Sequence, residues 1–285
     1  MNNYFIPIIG TISAGKTTFF NSLLGLDILE TGCSTTTKFV CLIKNSDKLS
    51  FYHVIPKKEE NISFIKEGEE IIEEKDIKEK IKKLNEDLSS KIIDKNDIFY
   101  ILETPIKNIE NNFLLENCYF MDIPGLNESN NSYIENIFSL FNPNDILFEI
   151  MIFDSNYFKS NSVLKIINQL EKKKCLKKEK NIFILNKIDL CEEKKDKVIS
   201  QFKQHFYQTY EDDKNQDSLK ININNNYFIP INSLLLGSEI KADNDFTSFL
   251  LLELFNYIEL NNGDITTFFT YLKKKIKNFN FPWRT

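Results

Sequence analysis

Gly10, Gly15, Lys16 and Thr17 stand in the pattern G-x-x-x-x-G-K-T within "GTISAGKT". Two glycines at that spacing let a short loop turn its N–H groups inward around phosphate oxygens, while Lys16 meets the β- and γ-phosphates and the Thr17 hydroxyl can ligate Mg²⁺. Ser13 and Ala14 complete the loop, and Thr18 follows as a further nucleotide-contacting position. A helix opening here adds the positive end of its dipole. The pattern requires a strand before it and a helix after it, and the runs "YFIPIIG" and "KTTFFNSLLG" supply both.

A second group lies far downstream. "ILNKIDL" places Asn186, Lys187 and Asp189 at the end of an apolar run, the N-K-x-D arrangement of GTP-binding proteins. The Asp189 carboxylate can accept from the N1–H and exocyclic amino group of guanine. Adenine lacks that pair and would leave the carboxylate unpaired, which costs more than a missing contact. The Lys187 stem would lie over the base, and Asn186 would tie this loop to the phosphate loop. Between the two groups, "CYFMDIPGLNE" offers Asp122 to hold Mg²⁺ through water and the Gly125 N–H to meet a γ-phosphate, so the segment can sense that phosphate. The cation also needs a hydroxyl from the other side, and "TGCSTTTKFV" offers Thr35, Thr36 and Thr37.

The elements that must position these residues alternate between strand-like and helix-like. "KFVCLIK", "LSFYHVI", "IFYILET", "CYFMDIP", "ILFEIMIFD", "NIFILNK" and "NYFIPIN" read as strands, with helical segments between the later ones. Such alternation predicts an α/β fold with a largely parallel sheet covered on both faces. From Lys57 to Asp87 the chain is highly charged, yet Ile77, Ile81 and Leu84 recur at helical spacing and mark a helix with one apolar stripe. After Gly237, "DFTSFLLLELFNYIEL" and "DITTFFTYLKKKIKNF" read as two C-terminal helices, the second docked through Ile265, Phe268, Leu272 and Ile276.

Composition bounds the function. With 285 residues, 42% of them hydrophobic, the chain can bury a sizeable core. Its 36 basic and 41 acidic residues give a net charge of -5, which argues against nucleic acid as a partner. Five scattered cysteines without a C-x-x-C pair point to a reducing compartment rather than a disulfide framework or zinc site. No apolar run reaches the roughly 18 residues that span a bilayer, and the first residues lack a basic leader, so a cytoplasmic protein is expected. Arg284 is the only arginine, which leaves one candidate in cis for an arginine finger.

Taken together, "GTISAGKTTFFNSLLG", "TGCSTTTK", "DIPG" and "NKID" resemble the dynamin-like large GTPases. The stretch from Lys16 to Asp122 is far longer than small Ras-like GTPases leave there. "IFYILETPIKNIENNFLLENCYFMDIPGL" looks like that family's paired strands, joined through a Thr-Pro turn and leading into the metal-binding aspartate. The resemblance covers about residues 4–237 and implies a P-loop GTPase fold, with extra strands and a helix inserted between switch I and switch II. It implies a GTPase domain over 1–237 and a helical extension, 238–285, packed on it. By register from Gly32 the switch threonine is Thr37, with Thr36 as its rival. The implied reaction is Mg²⁺-dependent hydrolysis of GTP to GDP and phosphate, activated by self-association across the nucleotide face.

In that reading Lys16, Ser13, Thr37 and Gly125 serve catalysis, and Thr17, Thr37 and Asp122 hold the metal. The nucleotide is bound by Gly10 and 13–18, by Asn186, Lys187 and Asp189, and by Asn232 and Ser233, the last two standing where GTPases often carry a Ser-Ala turn. Two departures matter. Ile12 stands where eukaryotic dynamins carry a polar residue that assists hydrolysis, although bacterial members tolerate an apolar one, and Leu126 stands where small GTPases have glutamine, as is usual in the large family. K⁺ or Na⁺ at Ser13 would then take the place of an arginine finger. The residues after Gly237 are too few for a full helical stalk, and "KKKIKNFNFPWRT" leaves a peripheral membrane or protein partner open. The rival reading is a GTP-reading scaffold with little turnover.

Overall fold

The computed structural model describes residues 3–31, 37–58, 62–90, 99–106, 118–126, 131–156, 181–187, 197–198, 200–201 and 227–230. Thr35, Thr36, Asp189, Asn232, Ser233, Arg284 and the segment expected to form C-terminal helices lie outside them. Nine strands form one sheet: β1 (Tyr4–Gly10), β2 (Val40–Asn45), β3 (Ser50–Lys58), β4 (Ile62–Ile71), β5 (Phe99–Thr104), β6 (Cys118–Asp122), β7 (Glu149–Asp154), β8 (Asn181–Asn186) and β9 (Tyr227–Pro230). Their order is β4-β3-β5-β2-β6-β1-β7-β8-β9. The half from β6 to β9 is wholly parallel. On the other side β5 and β2 are parallel, whereas β2–β6, β3–β5 and β3–β4 are antiparallel. This is the α/β, mostly parallel fold of P-loop GTPases.

Central strands are apolar on both faces because helices cover both. Ile6 and Ile8 of β1 pack with Phe19, Phe20 and Leu23 of α1 (Lys16–Leu24) and with Ile77 and Ile81 of α2 (Glu74–Ser90). Phe5 and Ile9 turn the other way, toward Ile134, Ile137 and Phe138 of α3 (Asn131–Ser139). Pro7 is tolerated in so central a strand for a reason of direction. Phe5 directs its N–H to Asp145 and its carbonyl to Leu147, and Pro7, two residues on, points its missing donor to the same side, just before regular pairing with β7 begins at Ile8. Gly25, at φ 65°, ends α1, and Leu26 N–H donates to the Asn21 carbonyl at 3.2 Å in a Schellman closure.

Two features depart from the sequence reading. The strands on either side of the Thr-Pro turn, β5 and β6, run antiparallel as a hairpin would, but β2 lies between them. Val40, Cys41, Leu42 and Ile43 are all buried, so β2 needs neighbours and cover on every side, and an edge position would expose it. The second is β4, a strand within the stretch that reads only as charged. It ends the described sheet, pairs there with β3 alone and, past Ile62 and Phe64 which reach the core, carries Lys66, Glu67, Glu69 and Glu70 mostly exposed, so apolar alternation stops after its first residues and its charges guard the edge.

The spacing between β1 and β7 rests on a missing side chain. A Cβ at Gly10 would stand 2.4 Å from the Ile152 carbonyl oxygen, a backbone atom that no rotamer change can move. Gly10→Ala is therefore expected to part the two strands and to lower stability by about 1–3 kcal/mol in urea unfolding. An unchanged midpoint would show that the strands yield freely.

Candidate functional site

The parallel strands deliver their carboxyl ends to one side of the sheet, where ligands bind in open α/β folds. β1 ends at Gly10, β6 at Asp122, β7 at Asp154 and β8 at Asn186. The loop after β1 is held in a tight shape by two left-handed residues, Ser13 at φ 61° and Gly15 at φ 92°. Glycine adopts that conformation freely, whereas at Ser13 it stores strain of the kind that collects at functional sites. Lys16, the first residue of α1, is buried, and its Nζ reaches back to the carbonyls of Thr11 at 3.3 Å and Gly10 at 3.5 Å. Burial lowers its pKa while Asp122 opposes that shift. An ammonium held by two long contacts to its own loop can exchange them for stronger, anionic acceptors.

Beside it three oxygens converge from three elements. The Thr37 hydroxyl donates to Asp122 Oδ2 at 3.1 Å, so the Thr17 hydroxyl, 3.1 Å from Thr37 Oγ1, is the donor in the second contact. Thr37 precedes β2, and because β2 runs antiparallel to β6, with Cys41 opposite Asp122, its leading end falls at the carboxyl end of β6. The remaining carboxylate oxygen, Asp122 Oδ1, is buried with no hydrogen-bond partner among the described residues. Desolvation raises the Asp122 pKa to about 6, against the pull of Lys16 and of the Thr37 hydrogen bond. Two hydroxyls and a carboxylate, one of whose oxygens is the unsatisfied buried Oδ1, form a hard donor set that fits Mg²⁺ with water and phosphate as its other ligands.

The D-x-x-G segment backs directly onto the phosphate loop. Leu126 N–H donates to the Gly10 carbonyl at 2.9 Å, and a Cβ at Gly125 would stand 2.9 Å from both the N and Cα of Ile12. The side chain of Leu126 is buried in the α3-side core, away from any role in orienting water.

At the far end, Asn186 donates from Nδ2 to the Ala14 carbonyl at 2.9 Å, and Lys187 Nζ donates to the Ser13 carbonyl at 2.7 Å. The first two residues of N-K-x-D are thus bonded to the phosphate loop, and Thr18 is half-buried nearby in sequence on α1. Sequence reasoning missed two residues that hold this end. Asp154, buried, takes Lys187 Nζ at 2.8 Å, and the Ser155 hydroxyl donates to the Lys187 carbonyl at 2.8 Å, steadying a residue at φ 59°. The available signal was an acid closing the apolar run "ILFEIMIFD", which parallel register sets opposite Asn186.

The sequence model of the dynamin family matches residues 6–188. Two similar solved structures come from an oligomerised bacterial dynamin pair, described as a mechanism for long-range sensing and tethering of membranes. One is 17% identical, with a TM-score of 0.57 over 96% of this chain; the other is 16% identical, with the same score over 97%. This chain spans only 41% and 49% of their lengths. Among curated proteins there is no match. No helix among the described residues is long and apolar enough to cross a membrane.

The buried carboxyl makes a pH prediction for the chain without cation or nucleotide. Its pKa is about 6 when folded against an ordinary 3.8, so between those values the native state binds more protons than the unfolded chain. Stability from this group is present at the acid end and lost as pH rises through about 6. In chelator, Asp122→Asn should gain about 2–3 kcal/mol over wild type between about pH 4 and about pH 7, read as a difference in urea unfolding free energy. A difference that does not change with pH would mean that the carboxylate is solvated.

Proposed function

Because the chain belongs to the dynamin family, we propose that it binds GTP with Mg²⁺ and hydrolyses it to GDP and phosphate, faster when two copies meet across the nucleotide face. The observation that carries this reading is the Thr17–Thr37–Asp122 cluster, with its orphaned oxygen beside Lys16. Thr17, Thr37 and Asp122 would hold Mg²⁺, which when bound neutralises and polarises phosphate oxygens. Lys16 would leave the Thr11 and Gly10 carbonyls for the β- and γ-phosphates. Gly125 would offer its N–H to the γ-phosphate. Water attacks the γ-phosphorus as the bond to the bridging oxygen of GDP breaks, and with Ile12 and Leu126 both apolar, backbone groups must place that water. Guanine choice would rest on Asp189, aligned by the Asn186 and Lys187 contacts to the phosphate loop, with Asn232 and Ser233 as further base-side candidates.

Self-association draws support from the neighbouring structures, which are of an oligomerised pair. A facing copy can order Thr37 against Asp122 without a glutamine. A monovalent cation, K⁺ or Na⁺, coordinated near Ser13 would meet the charge that develops between the phosphates, the task that arginine fingers perform elsewhere. The same neighbours, described as sensing and tethering membranes, favour a peripheral membrane partner. Helices 238–285 would pack on the GTPase domain. A second reading, a GTP-reading scaffold with little turnover, is favoured by Ile12 against Gly125 and by the buried Leu126.

Single-turnover phosphate release separates the two readings. The rate per site should rise with protein concentration and in K⁺ or Na⁺ over a bulky organic cation, and Lys16→Ala should abolish it. A rate near that of Lys16→Ala at every concentration and in every salt would favour the scaffold.

A further inference from the structure

The face of α2 that enters the core reads Ile77, Ile81, Asn85 and Leu88. One of these is polar, and an asparagine in an apolar stripe needs partners to offset its lost hydration. Asn85 is 7% exposed and has them on both sides of its amide. Nδ2 donates to Glu30 Oε2 at 2.8 Å, and Oδ1 accepts the Lys38 N–H at 3.1 Å. Only one orientation of the amide satisfies a carboxylate and a backbone N–H together. Glu30 and Lys38 flank the threonine-rich stretch, and Asn85 lines the same small cavity as Thr17, Thr37 and Asp122.

The Lys38 N–H belongs to the peptide unit that carries the Thr37 carbonyl, and that unit is planar. Fixing this N–H fixes the direction from which Thr37 leaves its Cα, and so helps to set where Thr37 Oγ1 meets Asp122 Oδ2. Building on the GTPase reading above, we propose that Asn85 is a positioning residue for the reaction. From the inserted helix α2 it holds Thr37 at the cation site, with Glu30 as the group that keeps its amide correctly turned. The helix between β4 and β5 is by this account a brace for the switch threonine.

The pair can be inverted without changing its net charge. Asn85→Asp is near-isosteric and keeps an acceptor oxygen, but it sets a second carboxylate against Glu30, and the repulsion swings it off the Lys38 N–H. Glu30→Gln added to it restores a donor–acceptor pair in the opposite sense. Two readouts are taken on the full chain: amide exchange at Thr37, Lys38 and Phe39 without nucleotide, and the Mg²⁺ concentration for half-maximal GTP hydrolysis with GDP affinity alongside.

Asn85→Asp should speed exchange at these amides and raise the Mg²⁺ requirement, each by about tenfold. GDP affinity should stay within about twofold, because the phosphate-loop contacts lie elsewhere. The double variant should return both values to within about twofold of wild type. Unaltered exchange in Asn85→Asp overturns the proposal, as does a double variant no better than the single one or an equal loss of GDP affinity. Should the wild-type chain fail to hydrolyse GTP, the functional reading falls, and the exchange measurements decide the brace by themselves.

Discussion

Asp122 is carried into the interior by β6, flanked by β1 and β2, with one oxygen bonded to Thr37 and the other to none of the described residues. A buried carboxylate in that condition is costly, and in the proposed reading a cation shared with the groups around it offsets that cost. Lys16 from α1, Thr17 one residue on and Thr37 at the approach to β2 all face the same point. Lys16 and Thr17 are delivered together by the loop after β1 and Thr37 by the approach to β2, and the parallel ends of the sheet with the antiparallel insertion of β2 bring them to Asp122.

The central half of this arrangement is written plainly in the sequence. Gly10, Gly15, Lys16 and Thr17 occupy fixed spacings because backbone geometry around a phosphate allows little else, and Asn186 falls against Ala14 because β8 ends level with the loop after β1. Apolar runs such as "IIG", "CYFMD" and "EIMIFD" mark strands buried on both faces. The insertion was far less legible. β4 buries only its first residues, Ile62 and in part Phe64, and is exposed from Ile65 to Glu70, too short a stretch to show alternation, and the place of β2 between β5 and β6 follows from pairing choices among several equally apolar runs, which no local pattern encodes. Asp154, Ser155 and Asn85 escaped for a related reason: each works through a partner remote in sequence.

The insertion has more to do than extend the sheet. α2 buries Ile77 and Ile81 beside α1 and sends Asn85 to Glu30 and the Lys38 N–H, so the inserted helix is tied mechanically to the residues beside Thr37. Asn21 of α1 performs a similar service on the preceding turn, accepting the Leu29 N–H at 3.0 Å and donating to the Leu29 carbonyl at 2.8 Å. Two asparagines thus hold the approach to the threonine-rich stretch from two helices. A change that tilts α2 would be felt at Thr37, whereas the phosphate loop, bonded to β8 through Asn186, would be spared.

The central claim is that the cluster around Asp122 is completed by Mg²⁺ together with a guanosine triphosphate. Calorimetric titration of the wild-type chain tests it most directly, with GTP in Mg²⁺, GTP in chelator and ATP in Mg²⁺ as the three arms. Binding should be tight in the first and weaker by about tenfold or more in each of the others. Equal affinity for GTP with and without Mg²⁺ would contradict the cation site, and equal affinity for ATP would contradict the guanine reading that rests on Asp189.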